Sequence, residues 1–188
     1  MKWNGRIAWI DLETTGLDPK RDHVLEVGVV VTEGLHTEIA GGQWIVTHGE
    51  HVLGSMASDV YRMHWHSGLV GDIRSRHYSV TSDPWVVPPV EAFDPLIDVL
   101  LTFAAPPGEM TGLPILGGSN VKFDRGFLPD SVTDLLHYRD IDASIASRLW
   151  ELAGGDVGDL PGGRTHRVMD DLTEAIERVR FITERIKV

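Results

Sequence analysis

The chain has 188 residues, no cysteine and a formal net charge of −11. That length suffices for one compact domain with its own core, and the lack of thiols excludes disulfides, thiolate zinc sites and cysteine nucleophiles, as suits a cytoplasmic protein. No run of about 18 apolar residues offers a membrane span, and no Lys/Arg cluster offers the basic stripe that grips long duplex DNA.

Met1 to Gly5 lead into the first element without the apolar segment of a signal peptide. Residues 6–12 read as a buried strand. A turn follows at Gly16-Leu17-Asp18-Pro19, and residues 23–32 form a second strand rich in valine. Residues 36–47 read as a third strand after the Glu33-Gly34 turn, which completes a meander. Residues 48–83 are polar, carry His48, His51, His64, His66 and His77, and are expected to hold helical pieces and site loops. Pro88 and Pro89 open a helix over 89–104, with Val90, Phe93, Ile97, Leu100 and Leu101 on one face, and residues 105–108 end it. Leu113 to Leu116 read as a strand running into Gly117-Gly118. Asn120 is expected to be the N-cap of a helix over 121–128. A short strand near 138–141 precedes a helix over 143–153. Residues 154–165 hold five glycines and one proline, a loop composition. The last helix starts near Arg167. The whole of 1–188 reads as one α/β domain.

Asp11 and Glu13 stand two apart on the first strand, so both side chains leave one face, opposite Ile10 and Leu12. Two carboxylates on a buried strand need a cation or a proton. A strand that frays at Asp11, leaving both acids solvated, is equally compatible with the pattern. In the last helix, at about 100° per residue, Val168, Leu172, Ile176, Val179, Ile182 and Ile186 make one apolar stripe. Asp171 falls at its edge and Asp170 nearly opposite, facing water. Asp171 is also explained as a first-turn acid favoured by the helix dipole, and His166 as an ordinary loop histidine. Asp124 taken alone belongs to a common helix start. Phe123 and Phe127 read as core.

The order of these pieces is more specific than any one of them. Asp11-Leu12-Glu13-Thr14-Thr15-Gly16-Leu17, then Gly118-Ser119-Asn120-Val121-Lys122-Phe123-Asp124, then His166-Arg167-Val168-Met169-Asp170-Asp171 resemble the three motifs of the DEDDh exonuclease superfamily. Ser67-Gly68-Leu69 and His137-Tyr138-Arg139 are similar to segments of its oligoribonuclease branch. The resemblance implies a ribonuclease H-like, mixed five-stranded sheet flanked by helices. It implies 3′→5′ hydrolysis of short single-stranded RNA, in the cytoplasm and often by a homodimer. Asp11, Glu13, Asp124 and Asp171 would be the metal ligands, with Asp11 bridging two ions. Oxygen-only ligands suit Mg²⁺ or Mn²⁺. His166 would be the general base. Leu17 would pack on the terminal bases and Tyr138 would reach a partner's site. Thr14, Gly16 and Asn120 would be further substrate contacts.

There are departures. Oligoribonucleases carry a Trp five residues before the His that matches His64. Here that position is Asp59, which leaves Tyr61 or Trp65 as the stacking surface. The second motif, with Phe123, is closer to the proofreading branch. A 3′→5′ DNA exonuclease is therefore the rival reading, and a catalytically silent binding subunit the second. The nine histidines fit no compact zinc pattern. The size and the diverged motifs suggest a phage version.

Overall fold

The computed structural model describes residues 3–76, 85–104, 112–163 and 165–186. Three long strands, β1 (Trp3–Thr14), β2 (Val24–Glu33) and β3 (Thr37–Val46), form the expected antiparallel meander. β4 (Trp85–Val87) pairs parallel to β3, while β5 (Leu113–Gly118) and β6 (Asp140–Asp142) extend the sheet beyond β1 in parallel. The sheet therefore has six strands in the order β4-β3-β2-β1-β5-β6, not five. The additional strand is three residues long and pairs with a distant partner, so it carries no periodic signal of its own.

Strand parity divides the core. Ala8, Ile10 and Leu12 face one apolar cluster with Leu96, Leu100, Val121 and Leu128. Ile7 and Trp9 face a second cluster with Leu172, Ala175, Ile176 and Val179. These four belong to α8 (Val168–Arg185), which packs on the sheet beside α7 (Ala143–Leu152). Gly28 on β2 permits the approach of α8: a Cβ there would lie 2.7 Å from the Val168 Cβ and 3.2 Å from a Leu172 methyl. A third cluster gathers Leu25, Ile45, Leu53, Leu69 and Ile73. It sits beneath α1 (Glu50–Leu53), α2 (Ser58–His66) and α3 (Leu69–Arg76), the helical pieces expected of the polar region. His77 lies outside the described residues.

The expected helix over 89–104 is broken in three. A 3-10 turn at Pro89–Glu91 precedes α4 (Asp94–Val99), and a π-helical turn spans Leu100–Ala104. Pro95 starts α4 in the first turn, where its missing N–H costs nothing. This shifts the helical phase. Leu96, Leu100 and Ala104 are the buried residues, while Val90 is 88% exposed. The expected stop at 105–108 lies outside the described residues. α5 (Val121–Phe127), α7 and α8 occupy their expected places, α6 (Asp130–Thr133) is a short helix the sequence reading did not expect, and Ile186 caps α8 and is exposed rather than part of the stripe. No helix among the described residues is long and apolar enough to cross a membrane.

Candidate active site

The odd face of β1 that buries Ile7 and Trp9 continues to Asp11 and Glu13, on the α8 side of the sheet. The strand register is continuous to Glu13, opposite Glu26 of β2, and shifts between Glu13 and Thr14. Such irregularities re-aim side chains at sheet margins. β5 pairs with β1 only as far as Trp9 and Gly117. Beyond that point the Leu12 amide is released from the ladder, and the Asp124 carboxylate of α5 accepts it at 3.1 Å. The third acid thus enters where two parallel strands diverge.

Asn120 does not cap α5 as expected. Its backbone is left-handed (φ 61°) and its side chain makes no cap bond. The Asp142 carboxylate accepts from the Asn120 and Val121 amides at 3.1 and 3.0 Å instead, and also from the Ser144 and Ile145 amides of α7. One aspartate therefore fastens the starts of two helices. Burial acts against its charge, yet the Ser144 hydroxyl and these amides hold its pKa below the ordinary value. Its place just before Ala143 was a readable N-cap signal that the sequence analysis did not use.

His166 is the other non-glycine with positive φ (56°) among the described residues. Such a backbone costs roughly 1–2 kcal/mol and persists where surrounding contacts impose it. Those contacts follow directly. Arg167 donates to the buried Glu26 carboxylate at 2.8–3.2 Å and to Asp72 at 2.9 Å. Burial disfavours the guanidinium's charge, but Glu26 and Asp72 raise its pKa. Glu13, His166 and Asp171 each bring a ligand atom to within 4.8 Å of the others. Asp170 points out and accepts from the Thr165 hydroxyl at 2.7 Å, as the helical wheel required.

A single cleft is lined by Asp11, Glu13, Asp124, Asp171, Glu174 and His166, together with Thr14, Gly16, Leu17 and Asn120. Among the described residues no Lys or Arg lines it. Burial, then Asp124, Glu13, Asp171 and Glu26, drive the Asp11 pKa well above its ordinary value. Burial, then Asp171, Glu26 and Asp124, raise Glu13 to about 8. Burial raises Asp124 to about 7 against the Leu12 hydrogen bond. Such a cluster holds protons or takes up cations, and an all-carboxylate donor set with one imidazole fits a hard divalent ion.

Gly16 and Leu17 lie on a loop stapled by Asp22. The Thr15 amide donates to His23 O at 2.8 Å, and the Asp18 amide to the Asp22 carboxylate at 2.8 Å. That carboxylate fills the space a Cβ on Gly16 would need, at 2.5–2.7 Å. Leu17 is 81% exposed at the cleft rim. Val60, Met63 and Phe123 also line the cleft. Phe123 therefore faces the site, whereas Phe127 packs on the core as expected. The fully buried His64 holds the rim strand: its Nε2 donates to Thr14 O at 2.8 Å, and its Nδ1 stands 3.7 Å from Glu13 Oε2. Burial lowers its pKa, so it is neutral at pH 7. Trp65 lies outside the cleft, and Tyr138, expected at a partner's site, does not line this one. Trp65 borders a separate depression on α2, and Tyr138 projects near β6, stacked on His137 at 4.5 Å.

Fold and site together define a nuclease of ribonuclease H-like architecture, and residues 8–64 match the exonuclease family RNase_T. The fold is similar to that of E. coli exonuclease I in complex with a 5cy-dT13 oligonucleotide, with a TM-score of 0.64 at 14% identity. That match covers 97% of this chain but only 41% of exonuclease I. The exonuclease I of Methylocaldum szegediense gives a TM-score of 0.66 at 16% identity, over 96% of this chain and 41% of that one. The zinc-bound form of the E. coli enzyme with single-stranded DNA is a further neighbour. In sequence, the chain is 33% identical to the oligoribonuclease of Pseudomonas putida over 183 residues, 95% of this chain and 94% of that one. It is 29% identical to the oligoribonuclease of Shewanella loihica over 96% of this chain and 94% of the relative. The chain belongs to the oligoribonuclease family, a branch of the 3′→5′ exonucleases.

Proposed function

We propose that the protein is a 3′→5′ exoribonuclease that hydrolyses short single-stranded RNA to nucleoside 5′-monophosphates, with the whole chain acting as one exonuclease domain. The observation that carries this reading is the cleft whose described lining holds five carboxylates and one histidine and no Lys or Arg. A phosphodiester would be repelled there unless divalent cations came with it. Asp11, Glu13, Asp124 and Asp171 are the residues that would hold two ions, Mg²⁺ or Mn²⁺. When bound, the ions supply the positive charge that offsets the charge growing on the phosphate. The protein does the rest. Leu17 and Phe123 offer apolar surface to the terminal base, and Thr14 and Asn120 border the sugar and phosphate. A ring nitrogen of His166 takes the proton of the attacking water.

A homodimer fits a second surface. Ile145, Leu149 and Leu152 form an exposed apolar stripe on α7, with Leu152 at 77% exposure, close in sequence to the projecting Tyr138. Exposed stripes of this kind mark association sites. The cysteine-free composition suits the cytoplasm.

The test is degradation of 5′-labelled RNA and DNA of two, five and twenty nucleotides with Mg²⁺, Mn²⁺ or EDTA. Metal-dependent loss of the RNA dinucleotide ahead of the twenty-mer is expected. Equal or faster trimming of long DNA would overturn the RNA assignment, and no cleavage of any strand would overturn the enzyme.

A further inference from the structure

α2 has two working faces. Val60 and Met63 line the catalytic cleft, and His64 is buried beneath. Ser58, Tyr61, Arg62 and Trp65 turn the other way and line a shallow depression of their own. Its floor is built rather than incidental. Arg74 donates to both carboxylate oxygens of Glu50 at 2.7 Å, and its remaining nitrogen donates to the Tyr61 hydroxyl at 3.2 Å. Tyr61 also packs on the third core cluster. The Trp65 ring lies near-parallel to Tyr61, 18° apart in plane with centroids 6.3 Å apart, and it is 56% exposed.

Arg62 supplies the charge. Arg21, Arg74, Arg125, Arg148, Arg167 and Arg178 are each paired with a carboxylate. The exposed Arg62 guanidinium has no ion pair or hydrogen bond among the described residues. An anchored aromatic pair beside an unpaired guanidinium is the combination that binds single-stranded nucleic acid: stacking is tolerant of base identity, and the cation takes the adjoining phosphate.

We propose that the outer face of α2 is an accessory nucleotide subsite, where a base stacks on Trp65 and its phosphate meets Arg62. The inference rests on the reading of the cleft as a nuclease site. A helix with its side chains is about 10–12 Å across, so a dinucleotide held in the cleft cannot reach this face. A strand several nucleotides long, leaving the cleft past Val60 and Met63, can. The subsite therefore acts on longer strands alone: it adds grip to oligonucleotides that extend beyond the cleft and leaves the binding of the dinucleotide unchanged.

Trp65→Ala and Arg62→Ala test this, both being surface changes whose folding is checked by circular dichroism. KM is measured for labelled RNA of two and seven nucleotides. In Trp65→Ala the ratio of the seven-mer KM to the dinucleotide KM should rise about tenfold, the scale of one lost stacked base. In Arg62→Ala it should rise about threefold, with a shallower salt dependence. An unchanged ratio in both variants overturns the subsite. Failure of the nuclease reading is seen separately, as absence of cleavage by the wild type. The subsite is then read by fluorescence anisotropy of the labelled seven-mer: weaker binding in Trp65→Ala supports it, and equal binding by all forms, or none, overturns it.

Discussion

Glu26, in the middle of the sheet, holds the guanidinium of Arg167, the residue that directly follows His166. Glu26 is fully buried and Arg167 largely so, with nitrogen–oxygen separations of 2.8–3.2 Å. This pair decides where the imidazole stands. Removing the cation strands a buried carboxylate, a loss of about 3 kcal/mol or more. Arg167→Met should therefore lower stability by that amount in urea unfolding and depress activity with it. Glu26→Leu combined with Arg167→Met should recover much of the stability but not the activity. Equal stability of Arg167→Met and wild type would contradict the anchor.

Neighbouring acids on α8 should behave differently. Asp171 lines the cleft, while Asp170 is exposed and its carboxylate accepts from the Thr165 hydroxyl. Asp171→Asn should keep the fold and lose activity about a hundredfold or more, beyond the usual cost of disturbing groups one step removed from a metal. Asp170→Asn should stay within a few-fold of wild type. Steady-state rates on one RNA oligomer decide it, and equal losses would sink the assignment.

For His166 the expected effect is on turnover. Removing a general base costs about 10²–10⁴ in rate. His166→Ala should show that loss while calorimetric Mn²⁺ binding persists. Because His166 stands within ligand reach of Glu13 and Asp171, lost Mn²⁺ binding would make it a ligand instead.

Acid clustering has a pH signature. Glu13 is held up to about 8 and Asp124 to about 7, against roughly 4 for unfolded carboxyls. Between those values folding retains protons that the unfolded chain has lost. The contribution of this cluster to the stability of the metal-free protein is thus greatest below about pH 4 and is lost as pH rises from about 4 to 8. Added Mg²⁺ should raise Tm more at the upper end of that window, because protons no longer compete for the oxygens. Thermal melts in EDTA and in Mg²⁺ at several pH values measure both effects. A flat metal-free profile would contradict the clustering.

Where local periodicity governs, sequence and structure agree. The two-residue repeat of β1 placed Asp11 and Glu13 on one face, and the wheel of α8 separated Asp171 from Asp170. Disagreements arise where distant groups decide. The three residues of β4 gain strand character only from β3. Asn120 is excluded from capping by a backbone that Asp142, far along the chain, holds in place. Phe123 reads as core by composition, yet α5 turns it into the cleft. Trp65, the stand-in for the missing stacking residue, is turned by the phase of α2 onto the opposite face.

The closeness of α8 to the sheet at Gly28 has a consequence for biogenesis. Asp11 and Glu13 leave the ribosome early, but Asp171 arrives only when α8 has been made and docked against that bare position. Until then Asp11, Glu13 and Asp124 lack both Asp171 and His166, and a growing chain has no complete site with which to cut the RNA around it. Substituting Gly28 by a larger residue would prolong that immature condition indefinitely.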